Sequence, residues 1–257
     1  MPDLDLLFAY DGHTAVLTLN REARRNAISV EMIDLFQRYL DDIEADPNIR
    51  SVCITGAGDK AFCSGADLGG GLAGGASADG PKKYAALLKR LASFPRPLIA
   101  KLNGHCLAGG LGLMLSCDMV YARADIKIGT PEVGVGLFPM MIGALIFRNA
   151  TRKKALEMIY TARLMPADEA ERMGLITRAY PPDQLDAAAA EKLAQINRQA
   201  PLAIRVGRQA FALAEEMPLD RALDHLCAKL GELLQTEDAA EGLTAFFEKR
   251  EPVWKNR

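Results

Sequence analysis

One stretch constrains the rest of the chain. Leu98-Ile99-Ala100-Lys101-Leu102 is a short apolar run of strand type, Asn103-Gly104 is a turn signal, and Ala108-Gly109-Gly110 opens a helix-length apolar run through Leu113. A strand that turns into a glycine-rich helix start leaves unpaired backbone N–H groups and a positive dipole end facing outward. Glycine there has no Cβ to hold a ligand off the backbone. The same glycines also serve close strand-to-helix packing, so the segment alone permits both readings. It is neither a GxxxxGK[ST] phosphate loop nor a GxGxxG dinucleotide turn, because Gly109-Gly110-x-Gly112 has the wrong spacing.

The flanking sequence extends the same alternation. Leu6 to Tyr10, Asp11-Gly12 and Ala15 to Leu19 read as a hairpin with an Asp-Gly turn. Ser29 can cap a helix that carries Ile33, Phe36, Leu40 and Ile43 on one face and stops near Asp46-Pro47. Ser51 to Thr55 is a buried strand, and Ala61-Phe62-Cys63 is a second strand that runs into Ser64-Gly65-Ala66-Asp67-Leu68. Gly69 to Ser77 is too glycine-rich to hold a fixed fold unaided, and strand–helix alternation resumes at Pro81. Met119 to Ala122, Ile126 to Gly129 and Leu175 to Tyr180 are expected strands; Lys153 to Tyr160 and Pro166 to Met173 are expected helices. From Asp183 the pattern is helical almost to the end, with Ala189, Leu193 and Ile196 on one stripe and a helix start at Thr236. Together these predict an α/β core followed by a helical extension.

Composition excludes several function classes. A chain of 257 residues with 49% hydrophobic content can bury one large core, and a formal net charge of −2 carries no nucleic-acid footprint. No apolar run reaches membrane-spanning length, and Met1-Pro2-Asp3-Leu4-Asp5 is acidic where a signal peptide would be basic. Five cysteines without a CxxC pair fit reduced thiols in the cytoplasm. His13, His105 and His225 are scattered, so no metal site is expected.

Two glycine-bearing strand ends, Gly65-Ala66 and Ala108-Gly109, each offer an N–H. Parallel strands that set them side by side would create a two-donor oxyanion hole, suited to a carbonyl that gains negative charge. Glu132 follows Pro131 in an apolar neighbourhood running to Met141, where partial desolvation would raise its pKa toward the range useful for proton transfer. The plainer alternatives are glycines that only turn the chain and a glutamate paired with Arg148 or Lys127. Cys63 and Cys106 read as small buried hydrophobes rather than nucleophiles.

Four motifs in register, Phe62-Cys63-Ser64-Gly65-Ala66-Asp67-Leu68, Asn103-Gly104 through Ala108-Gly109-Gly110 to Cys117-Asp118, Thr130-Pro131-Glu132-Val133 to Gly136, and Glu241-Gly242-Leu243 to Arg250, resemble the enoyl-CoA hydratase/isomerase (crotonase) superfamily over almost the whole chain. The resemblance implies a crotonase-like spiral of ββα units in residues 1–199 and a C-terminal helical trimerisation region in 200–257. It implies an acyl-CoA substrate whose thioester oxygen is held by the Ala66 and Gly109 amides, with Glu132 as general acid/base. Coenzyme A arrives as the substrate thioester, with no separate cofactor. Arg24, Ala27, Ser64, Gly65, Asp67, Leu68, Gly110, Gly112 and Phe138 are the expected substrate-binding positions, and a homotrimer or dimer of trimers the expected assembly. One departure stands out: where hydratases of the family usually carry a first glutamate, this chain has Gly112. Shuttling a proton between two carbons of one acyl chain needs a single carboxylate, whereas adding water is easiest with two. Isomerisation and hydration of an enoyl-CoA therefore both stay open, with a non-catalytic acyl-CoA-binding homologue as the alternative. Pro139-Met140-Met141-Ile142-Gly143 also departs from the family pattern and would form an apolar wall suited to an aliphatic tail.

Overall fold

A computed structural model describes residues 4–67 and 79–257. The chain opens with a hairpin, β1 (Leu6–Asp11) and β2 (Thr14–Leu19), paired antiparallel across a turn in which Gly12 takes φ 58°. Helix α1 (Val30–Ala45) starts where Ser29 Oγ accepts the Met32 N–H, and buries Ile33, Phe36, Leu40 and Ile43. Two sheets follow. The larger contains β1, β2, β3 (Ser51–Gly56), β5 (Leu98–Leu102), β7 (Met119–Arg123) and β10 (Arg178–Tyr180), in that order, parallel beyond the first pair. The smaller contains β4 (Ala61–Cys63), β6 (His105–Leu107), β8 (Lys127–Gly129) and β9 (Leu164–Pro166), parallel except for β9. Each successive pair, β3–β4, β5–β6 and β7–β8, gives its first strand to the large sheet and its second to the small one.

Strand β3 is buried over its whole length because both of its faces are covered. Val52 and Ile54 enter the main core with Phe36 of α1, Leu87 of α2 (Gly80–Ala92) and Leu111 of α3 (Gly109–Leu115). Cys53 faces the other way, onto Leu185, Ala189 and Leu193 of α7 (Leu185–Asn197), so that stripe covers the outer side of the large sheet. Between them lie α4 (Met140–Asn149), α5 (Arg152–Thr161) and α6 (Ala167–Arg172). The chain ends with α8 (Pro201–Ala214), α9 (Leu219–Leu234) and α10 (Glu237–Glu248), whose first turn is capped by Thr236.

Two differences from the sequence expectation concern strands. Strands β6 and β9 were not anticipated, since three residues are too few to show a period. The expected strand from Leu175 shrinks to β10, because Leu175 and Ile176 bury themselves in the connection after α6. The glycine-rich segment from Gly69 to Ser77 lies outside the described residues.

Asn26 ties the first loop to the site-bearing strands. It is buried in the left-handed region at φ 55°, which asparagine tolerates better than most residues. Its Nδ2 donates to the Ala57 and Ala61 carbonyls at 3.0 and 2.8 Å, and its Oδ1 accepts the Arg21 N–H at 3.0 Å. Replacing Asn26 with Ala strands these backbone groups, and we expect a loss of about 2–3 kcal/mol in unfolding free energy, measurable by urea titration.

Candidate active site

The small sheet delivers three segments to one place. At the carboxyl ends of its adjacent parallel strands β4, β6 and β8 stand Gly65-Ala66, Ala108-Gly109 and Thr130-Pro131-Glu132 respectively. This is where ligands bind in parallel sheets, because the strand ends release their backbone groups from the ladder.

The amide of Ala66 is freed by local pairing. Ile28 bridges to Ala66 in parallel fashion, with the Ile28 N–H donated to Gly65 O at 2.8 Å and the Asp67 N–H to Ile28 O at 2.9 Å. Alternation along an extended segment then turns the intervening Ala66 N–H to the opposite side, toward β6 and α3. Gly109 is freed by a twist. The Ala108 N–H is donated to Gly129 O at 3.0 Å, and Ala108 takes φ 49° and ψ −128°, a conformation that costs a residue with a Cβ on the order of 1–3 kcal/mol. No backbone acceptor among the described residues takes the Ala66 or the Gly109 N–H. The two segments are close: a Cβ on Gly65, itself at φ 103°, would stand 2.7 Å from Ala108 Cβ and 3.1 Å from Gly109 N. A Cβ on Gly109 would stand 3.4 Å from Ala66 N.

Glu132 lies on the single 3-10 turn Pro131–Val135 and shares with Ala66 and Gly109 a hollow of about 410 Å³. Its remaining walls are mainly apolar, including Val135, Leu137, Phe138 and Met141, and Ser64 and Tyr84 also reach it. The carboxylate is half-buried, and its Oε2 is buried without a hydrogen-bond partner. Burial in this apolar surround pushes the Glu132 carboxyl above the usual carboxylate range. The ion-pair alternative is not what the fold builds: Arg148 pairs with Glu216 at 2.8 Å, and Glu132 Oε2 has no partner among the described residues. Cys63 and Cys106 are fully buried, and burial lifts the Cys63 thiol to about 12, so neither is a ready thiolate.

The other expected positions are spread more widely. Phe138 lines the hollow and packs against Tyr160, with ring centroids 6.4 Å apart. Ser64 lies between this hollow and a polar one of about 420 Å³ bordered by Arg25, Lys60 and Arg123. Arg24 is exposed and borders neither hollow, whereas its neighbour Arg25 does border the polar one. Ala27 is buried, and Asp67 pairs with Arg21 at 2.8 Å. Gly110 packs on β4 so tightly that a Cβ would meet Cys63 O at 2.6 Å. Gly112 lies two residues further along α3, behind Tyr84. Leu68 lies outside the described residues. Tyr84 was missed from sequence, where it is one more apolar position on the buried face of a helix.

Comparison with known proteins places the chain in a family. Residues 11–257 match the family described as Enoyl-CoA hydratase/isomerase. The chain is 33% identical over 259 residues to the short-chain-enoyl-CoA hydratase of Clostridium acetobutylicum, covering 98% of each. It is 31% identical over 254 residues to the 2,3-dehydroadipyl-CoA hydratase of Escherichia coli, covering 98% of this chain and 99% of that one. The crystal structure of an enoyl-CoA hydratase from Bacillus anthracis superposes with a TM-score of 0.94 at 31% identity, over 98% of this chain and 100% of that one. With a carboxylate and two unpaired amides on one hollow, and with likeness along its whole length, this chain belongs to the enoyl-CoA hydratase/isomerase family.

Proposed function

We propose that this acyl-CoA enzyme moves a double bond along the acyl chain, converting a 3-enoyl-CoA to a 2-enoyl-CoA. One observation carries the reading: among the described residues the hollow holds a single carboxylate, Glu132, with Oε2 unpartnered and two free amides beside it, while position 112 is glycine. The Glu132 carboxylate removes a proton from C2, and the electron pair moves into the thioester carbonyl to give an enolate. The Ala66 and Gly109 N–H groups hold that oxygen, each worth about 3–4 kcal/mol in the barrier. Collapse of the enolate carries the double bond to C2–C3, and Glu132 returns the proton at C4. Nothing is added or lost, and the acid ends as it began.

The remainder of the substrate fits the surroundings. An aliphatic acyl tail would lie along Phe138, Met140 and Met141, and the phosphorylated end of coenzyme A would leave past Ser64 toward the polar hollow with Arg25 and Lys60. Hydration of a 2-enoyl-CoA is the second reading, favoured by the likeness to the hydratases of Clostridium acetobutylicum and Escherichia coli. The decisive assay presents 3-enoyl-CoA and 2-enoyl-CoA side by side. Isomerisation of the first is expected; rapid hydration without turnover of the first contradicts it. Tight acyl-CoA binding with no turnover of either selects a non-catalytic homologue.

Assembly follows from surface chemistry. Leu219, Leu223, Leu230 and Leu234 of α9 and Phe246 and Phe247 of α10 are large, apolar and exposed in the single chain. Faces of this kind are characteristic of self-association; the homotrimer or dimer of trimers that the family resemblance implies is one way to cover them, to be read by sedimentation equilibrium. A monomer at micromolar concentration contradicts it. Five free cysteines fit a reducing, cytoplasmic setting.

Glu132→Gln should lower kcat by about 10²–10⁴-fold while acyl-CoA binding persists. Because burial raises the Glu132 pKa, the acid limb of kcat should fall above the ordinary glutamate range. The same shift has a stability sign: the folded state holds its proton to higher pH than the unfolded state. Stability therefore falls as pH rises from the unfolded to the folded pKa, and Glu132→Gln should be no less stable than the parent at pH 7. Thermal unfolding checks this.

A further inference from the structure

Position 112 is not simply a site where a side chain is missing. A Cβ built on Gly112 would stand 2.1 Å from the Tyr84 hydroxyl oxygen, 3.1 Å from Tyr84 Cζ and 2.8 Å from Ile142 Cγ2. The space above Gly112 is therefore already filled from α2, by a tyrosine that is only 4% exposed. Its hydroxyl donates to the carbonyl oxygen of Gly109, the residue whose N–H faces the hollow. Tyr84 also borders that hollow with Glu132. A phenol so placed is spoken for. Its proton is committed to a backbone carbonyl, and deep burial, reinforced by neighbouring acidic groups that include Glu132, pushes its pKa well above the ordinary tyrosine value. It is therefore neutral and a poor base near pH 7. Hydration needs something else at this place, namely a water held against C3 by an acceptor and room for both. A cavity must offer about one water's volume and two or more polar partners before a water is held there, and Tyr84 with Ile142 occupies that volume.

We infer that Tyr84 determines the specificity of the site: by filling the space over Gly112 and binding the Gly109 carbonyl, it withholds the water that hydration would need and leaves proton transfer within the acyl chain. The inference rests on the isomerase reading above. It also says why a glutamate cannot be installed at position 112 alone.

The test measures hydration of 2-enoyl-CoA and isomerisation of 3-enoyl-CoA for the wild type, Gly112→Glu, Tyr84→Ala/Gly112→Glu and Tyr84→Phe, and takes the ratio of the two rates for each. Gly112→Glu should lose isomerisation and gain no hydration. The double variant should raise the hydration-to-isomerisation ratio roughly tenfold or more. Tyr84→Phe keeps the ring and removes only the hydroxyl, so it tests the inference even if the double variant fails to fold. Its ratio should rise roughly threefold, because the Gly109 carbonyl, freed of the Tyr84 hydroxyl, and the Glu132 carboxylate on the same hollow would then give an entering water two polar partners. A folded Gly112→Glu protein that hydrates as well as the double variant overturns the inference, as does a Tyr84→Phe ratio equal to that of the wild type. A wild type that hydrates and never isomerises ends the isomerase reading; one that isomerises while every variant keeps its ratio ends only the role of Tyr84.

Discussion

Parallel pairing in a sheet of very short strands is the constraint on which everything else here depends. Strands β4, β6 and β8 are three residues each, so each ladder between them stops after two pairs and the chain then leaves the sheet. Because the three run in the same direction and lie side by side, those exits coincide in space. An antiparallel neighbour would have sent one exit to the opposite end of the sheet. The amides of Ala66 and Gly109 and the carboxyl of Glu132 thus share a hollow for a topological reason, although 66 residues separate the first from the last. Holding Ala108 in a sparsely populated conformation is a local cost of turning the Gly109 amide outward, offset by the packing of α3 on β4 and α2.

Electrostatics then sets the hollow's character. Among the described residues Glu132 has no cation to neutralise it and no partner for Oε2, and the walls of the hollow are mostly apolar. Such a carboxyl is easier to protonate than a surface glutamate, which suits a group that must take a proton and return it. The nearby ionisable groups do not compete. Tyr84 and the buried thiols of Cys63 and Cys106 are all held in their neutral forms by desolvation. Polarity is concentrated where the reacting carbonyl would sit, and the acyl side is left greasy.

Much of this was legible in the residues alone, and the exceptions have physical causes. The first hairpin, the Ser29 cap, the apolar stripe of α1 and the stripe of α7 are local patterns, and each structural element matches its sequence signal. Gly65, Gly109 and Glu132 could each be singled out locally, as strand ends and a lone acid in apolar sequence, but only the family resemblance joined them into one site. Strands β6 and β9 were not readable, since nothing distinguishes three residues of strand from a loop until a neighbouring strand pairs with them. Leu175 and Ile176 mimic a strand because burial, which drives both, does not require a ladder. Arg24 and Arg25 are equally good cations in sequence, and only the left-handed turn at Arg25 decides which of them borders the polar hollow. The partnership of Tyr84 with Gly112 joins two helices 28 residues apart, and no spacing rule reveals it.

A crystal structure with an unreactive acyl-CoA thioester bound tests the central claim most directly. The account predicts the thioester oxygen at about 2.7–3.1 Å from both the Ala66 and the Gly109 nitrogens, with the Glu132 carboxyl against C2 and C4 of the acyl chain. A thioester oxygen bound elsewhere, or a Glu132 side chain turned away from the acyl carbons, would contradict it.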